Sequence, residues 1–192
     1  MNAGTMSAAA VETNDLWSLS ELPTDLALQQ AAPILGRLVK DPIFFEGEIR
    51  PLLEVARGAG GHWYVARSYR DKDHNYTLQV FIWPPSTETK IHDHSSWGVY
   101  CCAVGSILEE RYERLDDGSR LRHARLKKVG QRMWNRGDGA SSVLPHEEGI
   151  HRVGNPGDAV AISVHLYGPR LGDVDGRDYD LSCDYVCDRQ ED

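Results

Sequence analysis

Eight histidines occur in 192 residues, and three of them are placed where they could hold one metal ion. His92 and His94 stand in Lys90-Ile-His-Asp-His-Ser-Ser96. If that segment is extended, residues i and i+2 point to the same side, and both imidazoles can reach a single cation. Alone, an H-x-H reads equally well as polar residues on an exposed strand. The third histidine, His151, follows the turn Pro145-His-Glu-Glu-Gly149 and precedes Asn155 by four residues. Imidazole donors that leave coordination positions open suit Fe, Zn, Cu or Ni, so ligand type does not choose the metal. Further along lies Ser163-Val-His165-Leu-Tyr167. That spacing puts hydroxyl, imidazole and phenol on one face of a strand, where a linear hydrogen-bonded relay can form. The alternative is a satisfied polar stripe inside a barrel.

These groups need a rigid β frame, and the chain after Gly60-Gly61 has that texture. Thr77–Trp83, Ser96–Val104, Ile107–Tyr112, Ala124–Trp134 and Val160–Leu166 are short and β-prone. Turn signals separate them: Pro84-Pro85, Asp116-Asp117-Gly118-Ser119, Arg136-Gly137-Asp138-Gly139 and Asn155-Pro156-Gly157-Asp158. Regular spacing of this kind predicts an antiparallel barrel or jelly roll. Ahead of it, apolar residues recur at helical spacing from Thr24 to Lys40 (Leu26, Leu28, Ala32, Ile34, Leu35, Leu38), with Thr24 and Asp25 as cap residues. A second helix is expected over Glu46–Arg57, with Ile49, Leu52, Leu53 and Val55 facing in and Gly58 ending it. The expected organisation is an arm over residues 1–20 without stable structure, then one domain over 21–192 whose helical part is about 21–60.

Composition narrows the function classes. The chain is 41% hydrophobic and 26% charged, with a net charge of −8, which argues against a general nucleic-acid binder. The basic cluster Arg120, Arg122, Arg125, Lys127 and Lys128 alternates with apolar residues and reads as the solvated face of a strand. No stretch is long and apolar enough to span a membrane, and the start lacks the basic and apolar regions of a signal peptide. A cytoplasmic protein, monomeric or a small homo-oligomer, with four free thiols is therefore expected. Cys101 and Cys102 read as core residues. Cys183 and Cys187 could share a helical face, but two thiols do not make a structural zinc site, and the tail Cys183–Asp192 carries no strong structural signal.

The histidine motifs resemble those of the cupin superfamily, G-x5-H-x-H-x3,4-E-x6-G and G-x5-P-x-G-x2-H-x3-N. His92, His94 and Gly105 match the first; Gly139, Pro145, His151 and Asn155 match the second. Ser86 replaces the first glycine, Gly149 lies two residues late, and Gly98 stands where a typical cupin has its metal-binding glutamate. The site then offers three neutral imidazoles and no carboxylate, leaving the ion fully dipositive and avid for thiolates. A three-histidine cupin with a later Ser-x-His-x-Tyr resembles the cysteine dioxygenase family of thiol dioxygenases, over about residues 62–170 plus the helical N-terminal part. The resemblance implies a cupin-type β-barrel, a mononuclear Fe(II) centre on His92, His94 and His151, and catalysis assisted by Ser163, His165 and Tyr167. It also implies a small thiol carboxylate as substrate, with both atoms of O2 ending on sulfur as a sulfinate. Gly98 aligns with the cysteine that forms a thioether to the catalytic tyrosine in mammalian members, so no such crosslink is expected.

Family members that use cysteine carry an arginine on the strand before the metal motif, whereas 3-mercaptopropionate enzymes have a glutamine there and a late arginine. Arginine suits the task because its planar fork can bind both carboxylate oxygens. In Tyr64-Val-Ala-Arg67-Ser-Tyr69-Arg70, Arg67 is the expected substrate residue, with Tyr64, Arg70, Arg170 and Arg177 as further candidates. The reading favours L-cysteine, with 3-mercaptopropionate and mercaptosuccinate as alternatives. A non-catalytic metal cupin sensing a small ligand is the alternative from another class; it gives no reason for Ser163, His165 and Tyr167 in register.

Overall fold

The computed structural model describes Leu19 and residues 22–56, 61–70 and 75–189. The expected arm lies outside these residues except for Leu19, which is buried at 1% exposure among the helical core residues. Gly58, the expected helix stop, also lies outside them.

The first helix, α1 (Thr24–Leu38), starts one residue earlier than a Thr24 cap would require. Pro23 is its cap, and no side chain caps the first turn. Its inward stripe is Ala27, Leu28, Ala31, Leu35 and Leu38, while Leu26 is exposed, so the apolar face is rotated from the expected one. A second helical run comprises α2 (Pro42–Phe44), a π-helical turn (Phe45–Ile49) and α3 (Arg50–Ala56). It begins four residues before Glu46 because Asp41 accepts hydrogen bonds from the Ile43 and Phe44 amides at 2.7 and 2.9 Å, with Pro42 preset for the first turn. Ile49 and Leu52 face the core and Leu53 packs partly against it, but Val55 is exposed.

The remainder forms two antiparallel sheets. Strands β1 (Tyr64–Arg70), β2 (Thr77–Trp83), β5 (Gly98–Val104), β8 (Ser141–Val143) and β10 (Ala161–Tyr167) make one, in the order β1-β2-β10-β5-β8. The other has the order β12-β11-β4-β9-β6-β7, with β3 (Thr87–Glu88) paired to β9. Its strands are β4 (Ile91–His92), β6 (Ser106–Arg114), β7 (Leu126–Asn135), β9 (His151–Asn155), β11 (Arg177–Asp180) and β12 (Tyr185–Asp188). The predicted jelly-roll class is thus observed: this is a mainly β cupin fold with helices on one side.

Alternation sorts the first sheet. Leu78, Val80 and Ile82, Val99, Cys101 and Ala103, and Ile162, Val164 and Leu166 face outward onto the helices. Phe81, Trp83, Tyr100, Cys102 and Ala161 face inward to a second core shared with Ile107, Trp134 and Val153 of the other sheet. Adjacent Cys101 and Cys102 therefore enter different cores, and both are buried as expected. Cys183 and Cys187 lie in a turn and on β12 rather than on a helix. Of the tail that gave no signal, Tyr185–Asp188 forms β12, which pairs with β11, itself the neighbour of β4; residues 190–192 lie outside the described residues. The basic cluster is only partly a strand face: β7 begins at Leu126, so Arg120, Arg122 and Arg125 lie in the preceding connection, and only Lys127 and Lys128 are on the exposed strand. Among the described residues no helix is long and apolar enough to cross a membrane.

Candidate metal centre and relay

His92 ends β4, His94 lies two residues beyond in a tight connection, and His151 opens β9 directly opposite His92. The His94 Nε2 atom is 3.1 Å from His92 Nε2 and 3.2 Å from His151 Nε2. Asp93, between the two ligands, is fully buried and fixes the connection. Its carboxylate accepts from the Arg177 amide at 2.7 Å, Arg177 Nε at 2.9 Å and the Tyr179 hydroxyl at 2.7 Å. Gly176, at φ +133°, is required there, because a Cβ would stand 2.3 Å from the Asp93 carbonyl oxygen. Leu171 and His146 amides donate to the Ser95 and His94 carbonyls at 2.8 and 2.6 Å.

The donor set fits a cation. His92 Nδ1 donates to the Lys90 carbonyl at 2.9 Å, so its Nε2 bears a lone pair aimed at the other two rings. Burial, the neighbouring imidazoles and the nearby Arg189 charge all hold His92 and His94 well below the ordinary histidine range, so they remain neutral donors. Converging lone pairs at such separations repel unless a cation lies between them, and they match adjacent ligands on metal–nitrogen bonds of about 2.1 Å. Among the described residues, these three histidines are the group that could hold an ion, and no carboxylate joins them.

On β10, Ser163, His165 and Tyr167 share the inward face. Ser163 Oγ and His165 Nε2 are 2.7 Å apart, and His165 Nδ1 and the Tyr167 hydroxyl are 3.1 Å apart. The chain has a fourth member that sequence reasoning missed: Trp83 Nε1 donates to Ser163 Oγ at 2.7 Å. The signal was available in β2, where Trp83 shares a face with Phe81 and Gln79. Asn155, the last residue of the second motif, secures this member by donating to the Trp83 carbonyl at 2.9 Å and the Ala159 carbonyl at 2.7 Å.

Trp83 fixes the proton positions along the relay. With its N–H already on Ser163 Oγ, the single serine hydrogen is best given to His165 Nε2. The opposite tautomer would strand that hydrogen in a fully buried site. His165 then carries its proton on Nδ1 and donates to the Tyr167 oxygen, leaving the phenolic hydrogen free for the cavity. Burial, with a lesser contribution from His151, pushes the His165 pKa down to about 3, so the ring stays neutral at physiological pH. Burial raises the Tyr167 pKa above its usual value, so the phenol keeps its proton. The Tyr167 ring lies 5.1 Å from that of His94, centroid to centroid. Gly98, paired with Tyr167 across β5 and β10, makes this possible: a Cβ would sit 3.1 Å from the phenol ring and 3.2 Å from Val143. No thiol stands there to form a thioether.

A solvent-open cavity of about 1820 Å³ contains the three histidines and Tyr167 and runs outward to the connection carrying Arg120 and Arg122. Arg67, the expected substrate residue, does not line it. It is exposed and donates to its neighbour's Ala66 carbonyl at 3.0 Å. A bulge between Val65 and Arg67 is the cause: it pairs Arg67 with outward-facing Val80 and puts Ser68 and Arg70 on the inner face instead. Arg70 lines the cavity in a row across three strands with Thr77 and Tyr167. Tyr64 lies at the rim. Arg177 lines the wall but is committed to Asp93 and, at 3.0 Å, to Glu147. Arg170 pairs with Asp175 at 3.1 Å. Arg189, not singled out by the sequence, donates to the Asp93 carbonyl at 3.2 Å and to Asp178 at 3.3 Å, so its charge sits beside the ligand-bearing connection.

Facing antiparallel sheets with three converging imidazoles at one end define a metal-binding cupin. The description Cysteine dioxygenase type I matches residues 69–180, more than half of the chain, and the chain belongs to that family. It is accordingly an iron-dependent thiol dioxygenase, acting on a small thiol and O2. Among solved structures it is similar to a Cupin 2 conserved barrel domain protein from Salinispora arenicola, at 14% identity over 55% of this chain and 73% of that one, with a TM-score of 0.38. It is also similar to the Cupin_2 domain of an XRE family transcriptional regulator from Enterobacter cloacae, at 12% identity over 57% and 98% of the chains, with a TM-score of 0.39. His92, His94 and His151 would hold the iron, which when bound supplies the redox chemistry that side chains lack.

Proposed function

We propose that this dioxygenase converts L-cysteine and O2 to cysteine sulfinate, both oxygen atoms ending on sulfur. The observation that carries this reading is the mixed charge of the cavity wall. Arg70, Arg189 and Asp175 line it together with Tyr167, Arg189 also pairing with Asp178 and Asp175 with Arg170. A zwitterionic α-amino thiol presents a carboxylate to the cations and an ammonium to the acid; 3-mercaptopropionate lacks the second group. Arg70 is the proposed carboxylate partner: it is on the Tyr167 row, and no carboxylate pairs with it among the described residues. The Tyr167 hydroxyl, its hydrogen directed into the cavity by His165, would donate to the developing negative charge on the oxygen-derived group. Ser163, His165 and Trp83 hold it in that state. The four cysteines are all free thiols, in keeping with a reducing cytoplasm and a role in sulfur metabolism, as a monomer or small homo-oligomer.

An oxygen-electrode panel of L-cysteine, 3-mercaptopropionate, mercaptosuccinate and cysteamine, with sulfinate identified by mass spectrometry, tests the reading. L-Cysteine should give the highest kcat/KM. Arg70→Ala should raise KM for the carboxylates by about 10–100-fold, the loss of a charge-assisted contact of about 1.5–3 kcal/mol, and leave cysteamine unchanged. Arg67→Ala should change nothing. Faster turnover of 3-mercaptopropionate or mercaptosuccinate would overturn the cysteine assignment. An equal loss with cysteamine would overturn the Arg70 anchor.

A further inference from the structure

The metal-binding cluster lacks a carboxylate, yet one is buried directly behind it. Glu109, on β6, is 1% exposed. Three donors hold it: Trp134 Nε1 at 3.0 Å, Ser141 Oγ at 2.8 Å and Arg111 Nε at 3.0 Å. None of these explains why a carboxylate should lie inside a sheet whose neighbours Ile107, Trp134 and Val153 are apolar. The fourth neighbour does. Glu109 Oε1 is 3.6 Å from His151 Nδ1, and that nitrogen is buried with no hydrogen-bond partner. His151 Nε2 points the other way, 3.2 Å from His94 Nε2. For Nε2 to offer its lone pair, Nδ1 must carry the proton, and a proton-bearing nitrogen beside a carboxylate is a donor waiting to close a gap of a few tenths of an ångström.

We propose that Glu109 is the positioning residue for His151: it accepts the Nδ1 proton, fixes the tautomer and ring angle, and lends its negative charge to the metal through the imidazole. The carboxylate that Gly98 removed from contact with the ion is thereby retained one bond further out. Trp134, Ser141 and Arg111 hold the carboxylate in place, so its alignment comes from three other strands or strand positions and does not depend on the metal. His92 is oriented differently, by the Lys90 carbonyl, a neutral acceptor. The three ligands are consequently unequal, with His151 the strongest donor. Carboxylate partners of this kind raise ligand basicity and commonly account for 10–100-fold in metal affinity.

The inference rests on the three-histidine metal site and is independent of which thiol is oxidised. Its test uses Glu109→Gln, which keeps the shape and can still accept from Trp134 and Ser141. The metal-free variant should bind Fe(II) or Co(II) about 10–100-fold more weakly than the parent chain. Loaded with iron, it should show a higher Fe(III)/Fe(II) potential, because a weaker donor stabilises the ferric ion less. Ser141→Ala removes a neighbour of the same carboxylate without touching its charge or His151, and should stay within threefold of the parent in metal affinity. Parent-like affinity and potential in Glu109→Gln would overturn the proposal, as would an equal loss in Ser141→Ala, which would mark general loosening of the site. Should Glu109→Gln fail to fold, the unsubstituted protein loaded with Co(II) decides the matter by NMR. The His151 Nδ1 proton should appear as a paramagnetically shifted, slowly exchanging resonance, and a rapidly exchanging one would refute the carboxylate bond. Metal binding with no thiol oxidation would undermine the dioxygenase reading and leave this one standing.

Discussion

Replacing Ser163 with alanine removes one oxygen from the centre of the relay, and the structure gives the size of the effect. Ser163 is fully buried, with Trp83 Nε1 and His165 Nε2 each 2.7 Å from its hydroxyl. Among the described residues neither partner atom has another hydrogen bond, and water has little access to His165, at 4% exposure. Two buried groups are orphaned at about 1–3 kcal/mol each, so Ser163→Ala should destabilise the metal-free protein by about 2–6 kcal/mol. Metal affinity should be unchanged, since no ligand is touched. Turnover responds through the tautomer. Without the serine hydrogen, His165 can carry its proton on Nε2, and Nδ1 then accepts the Tyr167 hydrogen and draws it out of the cavity. The loss is about tenfold in kcat, the kinetic equivalent of one hydrogen bond near 1.4 kcal/mol, with KM little altered. Urea unfolding of the metal-free protein measures the first quantity and steady-state O2 uptake the second. Trp83→Phe is the companion variant: it keeps the Ser163–His165 contact but frees the serine to accept from His165 Nε2, so it should lower kcat in the same direction and by no more than Ser163→Ala. Parent-like kcat in Ser163→Ala would refute the proton assignment along the relay. A destabilisation below about 0.5 kcal/mol would refute the account of its buried hydrogen bonds.

Tyr167→Phe should retain metal, measured by iron content, and lose about 10²-fold in kcat. Asp93→Asn should cost about 3 kcal/mol in unfolding free energy and weaken metal binding, because it leaves Arg177 with Glu147 alone and loosens the connection carrying His92 and His94. His165 makes stability pH-dependent. Its pKa is about 3 in the fold against 6.5 when unperturbed, so between these values the unfolded chain takes up a proton that the fold refuses. That contribution is complete above pH 6.5 and is lost as pH falls toward 3, at up to about 1.4 kcal/mol per unit. Urea midpoints of the metal-free protein at pH 7, 6 and 5 should therefore fall less steeply in His165→Gln, and identical slopes would refute the assignment.

Where alternation runs over five or more residues, sequence and structure agree closely. Thr77–Trp83 is β2 residue for residue, and Ser163, His165 and Tyr167 line up because β10 keeps strict alternation. The short strands β3, β4, β8, β9, β11 and β12 left no periodic trace, being two to five residues long and held by neighbours distant in the chain. Arg67 shows how a single inserted residue defeats pattern reading. Without the bulge at Ala66, Arg67 would pair with Gln79 and face the cavity; with it, every side chain from Arg67 to Arg70 changes face. Glu109 was illegible for another reason. Leu-Glu-Glu-Arg looks like a solvated strand, and only Trp134, Ser141 and His151, each at least 25 residues away, make Glu109 a buried group.

Gly98 beneath the Tyr167 ring has a consequence for the enzyme's life history. Since Tyr167 hydrogen-bonds, among the described residues, to His165 alone and Gly98 offers no thiol, no covalent ripening of the protein should precede full activity. A freshly synthesised, iron-loaded molecule should show no lag, its first turnover as fast as any later one. Its denatured polypeptide should run as one band before and after prolonged exposure to substrate and oxygen.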